Sequence, residues 1–214
     1  MGKFYEGTNT FRFTWDQVAQ AFWARYPNPY SQHVLSEDVF HRYIEDGKLY
    51  TKRLLQKTNR LPKWGEKIIG ASCRSVFVVE ESVVDPKNKI VTTYTRNVGM
   101  TSVMVVEEKC VYRPSKENLR WTAIVRQAWV SSSVFGFRRA IQAFGVERFK
   151  QNASKAFRGY QYVLEHMFQS GIQQETGTAL FVDKDRLRER AKQATKFAKS
   201  KTVPIVAQCA TNGQ

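Results

Sequence analysis

Ala128-Trp129-Val130-Ser131-Ser132-Ser133-Val134-Phe135 is where the hydrophobic period of the chain changes. Upstream, apolar residues alternate with polar ones or run in short β-branched blocks. Downstream, from Phe135 to about Met167, there is no proline, and Ile141, Phe144, Phe149, Phe157, Tyr160, Val163, Leu164 and Met167 recur at helical spacing. Strands therefore precede one long helix, which ends at Ser170-Gly171 and has Gly145 as a possible kink.

Reading back from the break, Arg120 to Val130, Met100 to Tyr112, Lys89 to Val98 and Ser75 to Val84 are strand candidates separated by short turns such as Asp85-Pro86-Lys87-Asn88. Leu49 to Thr58 and Val34 to Ile44 form a hairpin about Asp46-Gly47. Lys3 to Phe13 is a first strand, followed by a short helix capped by Thr14 or Asp16, with Val18, Ala19, Phe22 and Trp23 as its core stripe. Strands joined by short turns, without helical patterns between them, predict an antiparallel meander. The predicted fold is α+β: a curved seven-stranded antiparallel sheet wrapped with a long C-terminal helix around a cavity suited to an apolar ligand. Residues 1–170 make this domain. Residues 171–214 read as a linker and a basic helical tail.

The connector Arg25-Tyr26-Pro27-Asn28-Pro29-Tyr30-Ser31-Gln32-His33 joins the short helix to the second strand. Its two prolines cannot continue a helix or enter a central strand, and they push Tyr26 and Asn28 toward extended backbone. The segment is stiff and carries Arg25 and His33 at its ends.

The net charge is +15, of which residues 171–214 contribute +4 and the body +11. Such a surface attracts anions, either nucleic acid or anionic lipid headgroups, and charge alone does not choose between them. Hydrophobic content of 42% indicates a globular protein, and no apolar run approaches the roughly 18 residues of a membrane span. The expectation is a soluble or peripheral protein, without a secretory leader or a myristoylation signal. Cys73, Cys110 and Cys209 form no CxxC pair, so neither a disulfide framework nor a metal site is expected.

On the long helix, Arg148, Asn152, Lys155 and Gly159 share one face, with Phe149 and Phe157 turned away from it. Two cations, an amide and a glycine in line suit a phosphate, although by spacing alone a solvated basic face is the commoner reading. Arg25 complements the dipole of the short helix, His33 is a donor when protonated, and Lys57 precedes a greasy loop. That loop holds Leu61, Pro62, Lys63, Trp64, Ile68 and Ile69. It reads either as packing onto the core or as a lid that closes over a ligand and touches a membrane when open. The chain has no G-x-S-x-G, H-E-x-x-H or Walker loop. Glu80-Glu81 and Glu107-Glu108 point to opposite strand faces, so no enzyme is expected.

Several stretches together resemble the PRELI family of mitochondrial lipid-transfer proteins, in its phosphatidic-acid-carrying branch. They are Arg25 to Leu35, Arg53 to Thr58, Val84-Asp85-Pro86, Tyr94 to Asn97, Met104 to Glu108, Ala128 to Ser133 and Arg148 to Asn152. The resemblance implies a headgroup site at Arg25, His33, Lys57, Asn152 and Lys155, with Arg148 where some members have Lys. It places the lid at Leu61 to Gly70. It implies phosphatidic acid as bound cargo with no cofactor, an anionic membrane surface, and transfer across the mitochondrial intermembrane space toward cardiolipin synthesis. It also implies a heterodimer partner, a small helical hairpin with twin Cys-x9-Cys motifs. No nucleic acid is expected on this reading; a basic nucleic-acid-binding module is the alternative that charge alone leaves open.

Overall fold

The structure, a computed structural model, describes residues 2–59 and 75–169. Strand β1 spans Lys3–Phe11, helix α1 Trp15–Ala21, and a 3-10 turn Phe22–Ala24. Then come β2 (Val34–Glu45), β3 (Lys48–Thr58), β4 (Ser75–Asp85), β5 (Ile90–Asn97), β6 (Val105–Pro114) and β7 (Thr122–Ser131). Helix α2 runs from Arg138 to Leu164 and closes in a π turn over Glu165–Gln169.

The seven strands form one antiparallel sheet in the order β1-β7-β6-β5-β4-β3-β2. From β2 to β7 it is the expected meander. β1, cut off from β2 by α1 and the proline connector, pairs with β7 at the far edge, Lys3 opposite Val130. Register shifts at Val34/Ser36 and Val39/His41 put irregularities into the edge strand β2.

Thr14 caps α1 by a reciprocal capping box: its hydroxyl accepts from the Gln17 N–H at 3.4 Å, and its own N–H donates to Gln17 Oε1 at 2.9 Å. The buried face is Trp15, Val18, Ala21 and Phe22, with Ala19 and Trp23 half-buried.

The core lies at one end of the sheet. Phe11, Val84, Val91, Tyr112 and Ile124, from five strands, meet α1 and the last turns of α2 through Tyr160, Val163 and Leu164. Phe157 stacks on Phe11 with centroids 4.7 Å apart, and the Tyr160 hydroxyl donates to the Val18 carbonyl at 2.5 Å. The first half of α2 lies outside that cluster, although Ile141, Gln142 and Gly145 are buried there. Phe144 and Phe149, two of the residues that set the helical period, line a cavity, and Met167 is exposed. Phe149 is therefore not turned away from the basic residues as its spacing predicted.

The helix starts three residues later than the pattern predicted. Gly136, at φ +76°, leaves the right-handed region and keeps Phe135 out of the helix. α2 then runs unbroken through Gly145, whose lack of a side chain serves packing: a methyl there would come within 2.7 Å of Val130 Cγ1. β6 begins at Val105 rather than Met100, because Met100 to Met104 forms a turn with Met100 at φ +61°.

Gly159 is buried against the carboxamide of Asn28, in the proline connector. The close approach it permits is that of Asn28, not of a phosphate. Gly159→Ala is expected to cost about 1–3 kcal/mol by overpacking, read as a lowered midpoint in thermal or urea unfolding; an unchanged midpoint would contradict this contact.

Candidate functional site: a cationic cavity between sheet and helix

The inner face of the sheet is set by the strand period of two. Val76, Val78 and Glu80 of β4, Thr93, Thr95 and Asn97 of β5, and Val106, Glu108, Cys110 and Tyr112 of β6 all point inward. Opposite them stand Ile141, Phe144, Arg148, Phe149, Asn152 and Lys155 of α2. Between the two faces is a cavity of about 1100 Å³. That is slightly above the range of ordinary small-molecule sites, which run from about 300 to 1,000 Å³.

All six residues expected to bind a headgroup, Arg25, His33, Lys57, Arg148, Asn152 and Lys155, line this one cavity. They arrive from three directions. The connector brings Arg25 and His33, β3 brings Lys57, and α2 brings the rest. His33 is anchored beside Lys57 because its carbonyl accepts from the Thr58 N–H at 2.8 Å, while Val34 pairs with Lys57. The expected lid residues, Leu61 to Ile69, lie outside the described residues. Their described flanks, Asn59 and Ser75, stand at the rim: Thr58 pairs with Ser75, and Asn59 donates to Met100 Sδ at 3.0 Å.

The electrostatics divide the lining in two. Toward the core, the charges are balanced. Arg25 Nη2 donates to both Glu80 oxygens at 2.9 and 3.0 Å, its Nε donates to the Phe22 carbonyl at 3.1 Å, and its guanidinium lies 4.1 Å from the Phe22 ring centroid. Arg53, fully buried, donates to the same carboxylate through Nε at 3.2 Å and through Nη2, and reaches Glu37 at 3.3 Å. Burial alone would raise the Glu80 pKa; the two guanidiniums overcome it and hold the carboxyl at about 2. Nearby, Arg126 Nε donates to Glu108 Oε1 at 2.9 Å and lies 3.3 Å from Cys110 Sγ. Burial and Glu108 push the Cys110 thiol up to about 12, so it is protonated and unreactive.

Toward the rim, cations outnumber carboxylates: Lys57, Arg148 and Lys155 line the cavity there with Glu147. Among the described residues no carboxylate lies within ion-pair distance of Lys57 or Lys155. Burial and the nearby charges of Lys57, Lys155 and Arg148 lower the His33 pKa to about 4, so its imidazole is neutral at physiological pH. Burial also lowers the Arg148 pKa. The basic helix face is thus a cavity wall, not only a solvated surface.

The partners of Arg25 were not visible in the sequence. Glu80 reads in the sequence only as one of two adjacent carboxylates on opposite strand faces, and Arg53 follows Lys52, so nothing local marks either as half of a buried ion pair.

The model of the PRELI-like family matches residues 16–170. The chain belongs to the PRELI-like family. A Gallus gallus relative, "PRELI domain-containing protein 1, mitochondrial", is 48% identical over 201 residues, covering 93% of this chain and 88% of the relative. Its Homo sapiens counterpart is 52% identical over 166 residues, covering 77% and 76%. "Protein UPS1, mitochondrial" from Saccharomyces cerevisiae is 33% identical, covering 76% and 93%. Among solved structures, TTHA0849 from Thermus thermophilus superimposes with a TM-score of 0.55 at 14% identity, covering 78% of this chain and 99% of that one. That likeness is one of fold alone. The PRELI-like chain thus has the α+β sheet-and-helix architecture that its sequence predicted.

Glu80→Gln is expected to destabilise the protein by about 3–5 kcal/mol, because it strands two guanidiniums around an uncharged group. In the wild type, the stabilisation from Glu80 is full above its ordinary value of 4.5 and is lost as pH falls through about 2. The variant should therefore show a flatter stability profile across that window in urea titrations. An identical acid limb would remove Glu80 from the network.

Proposed function

We propose that this protein transfers phosphatidic acid between mitochondrial membranes across the intermembrane space, supplying cardiolipin synthesis. Membership in the PRELI-like family supports mitochondrial lipid transfer as the general activity. The observation that carries the finer reading is the rim cluster of Lys57, Arg148 and Lys155 around a neutral His33, opening into a cavity with an apolar wall. A phosphomonoester bears between one and two negative charges and needs several cations in a partly dry site. Arg25, neutralised by Glu80, braces the site and presents edge donors; Lys57, Arg148 and Lys155 supply charge, and Asn152 supplies a neutral donor. Val76, Val78, Val106, Phe144 and Phe149 offer apolar surface to acyl chains, at about 0.8 kcal/mol per buried methylene.

The proposed partner is a small helical hairpin with twin Cys-x9-Cys motifs. The edge strand β2 supports an apolar protein contact, because Leu35, Val39, Phe40, Tyr43 and Ile44 are all exposed along it. Among the described residues no helix is long and apolar enough to cross a membrane.

The deciding experiment is transfer of labelled phosphatidic acid from donor to acceptor vesicles, with phosphatidylserine and phosphatidylcholine as controls. Lys155→Glu should abolish transfer while leaving the unfolding midpoint within experimental scatter. Normal transfer by that folded variant removes the headgroup assignment. A second measurement follows His33 by NMR titration. A bound phosphomonoester offsets the surrounding positive charge, so the His33 pKa should climb from about 4 toward its ordinary value on adding short-chain phosphatidic acid. A pKa that stays put means the anion binds elsewhere.

A further inference from the structure

The turn between β7 and α2 breaks the usual rules for a soluble surface. Phe135 is 97% exposed and Phe137 51% exposed, on either side of Gly136, which meets nothing within 4 Å even if given a side chain. The turn therefore projects into open space with two aromatic rings at its tip. The helix that follows is started in an unusual way. Phe137 occupies the N-cap without a side-chain acceptor, the first turn holds no acidic residue, and Arg138 and Arg139 stand there, both exposed. Cations at a helix N-terminus oppose its dipole, and an apolar cap leaves the first N–H groups to solvent instead of a side-chain acceptor. In water each choice is unfavourable. Beside a layer of lipid phosphates both become favourable, since the arginines and the free N–H groups all face anions.

The place of the turn in the fold is equally specific. The Ser132 hydroxyl donates to the Val103 carbonyl at 2.6 Å, and the Ser133 hydroxyl donates to the Ser102 carbonyl at 3.2 Å. Val103, and Ile141 in the first turns of α2, line the cavity. The tip therefore stands on the cavity rim. The same end of the sheet also exposes Phe77 and Val98, joined by the Val98 N–H to the Phe77 carbonyl at 3.0 Å.

We propose that Phe135-Gly136-Phe137-Arg138-Arg139 is a membrane-insertion tip that seats the cavity rim on an anionic bilayer. The two rings enter the interface and the two guanidiniums take the headgroup phosphates. This deepens the transfer reading and rests on it for its purpose, but not for its test. The tip is distinct from the headgroup site, because neither phenylalanine nor either arginine lines the cavity.

The test compares the full chain, purified with its partner where one is needed, with Phe135→Ser/Phe137→Ser and Arg138→Gln/Arg139→Gln. The readouts are flotation with phosphatidylcholine vesicles with and without cardiolipin, and calorimetric binding of soluble short-chain phosphatidic acid. Leu119→Ser, in the exposed turn between β6 and β7 at the other end of the sheet, is the control and should leave flotation unchanged. The phenylalanine pair should lower the vesicle-bound fraction and the transfer rate by about tenfold or more, with soluble ligand binding unchanged. The arginine pair should remove only the gain due to cardiolipin. Unchanged flotation in the phenylalanine pair overturns the proposal. Loss of the partner or of self-association, with flotation intact, assigns the face to a protein contact and overturns it as well. If flotation depends on the tip but the cavity takes no phosphatidic acid, the tip stands and the transfer reading falls.

Discussion

The core grips helix α2 by its last turns, its first half meets β7 at Gly145 and Val130, and the cavity exists because nothing fills the space between the helix and β4 to β6. Phe157, Tyr160, Val163 and Leu164 lock its last turns onto Phe11 and α1. A helix of 27 residues is about 40 Å long, and the core accounts for less than half of that length. The remainder is carried over the inner face of β4, β5 and β6 without filling the gap. Gly145 and Gly159 set the height of this span, one against Val130 and the other against Asn28. A side chain at either position would force the helix away from a wall of the site it helps to build.

The gap is lined by groups that a closed core would not tolerate. Glu80, Arg25 and Arg53 are buried charges whose mutual pairing outweighs the penalty of burial. They fix the connector to β3 and β4, so the rim residues His33 and Lys57 stand where α2 can face them. The ion-pair network therefore acts as a brace, and the excess positive charge at the rim is what remains for a ligand. Charge balance inside and charge excess outside give the cavity a direction, with an anionic group held at the rim side and apolar matter along the wall.

Much of this was legible in the chain. The switch of period at Ser131 to Ser133, the Asp46-Gly47 hairpin and the Thr14 cap are local signals, since each depends on neighbours within a few residues. The spacing of Arg148, Asn152 and Lys155 placed them on one helix face before any contact was known. Spacing could not say what that face meets, because a basic stripe reads the same toward solvent and toward a cavity. It also misjudged Phe149, whose neighbours come from β1 and the cavity rather than from its own helix. Phe135 was assigned to the helix because its apolar character fitted the period, whereas the backbone of Gly136 excludes it.

The sequence by itself determined the elements, their order and the types of residue available for binding, because hydrophobic period, turn chemistry and capping act over short distances. Only the tertiary structure decided which charges are partnered. Arg25 lies 55 residues from Glu80, and Arg53 lies 27 residues from it. Nothing local distinguishes those arginines from Lys57 or Lys155. The distinction arises from burial, which makes an unpaired charge costly inside and leaves it tolerable at the rim, and burial is set by how the sheet and the helix close on each other.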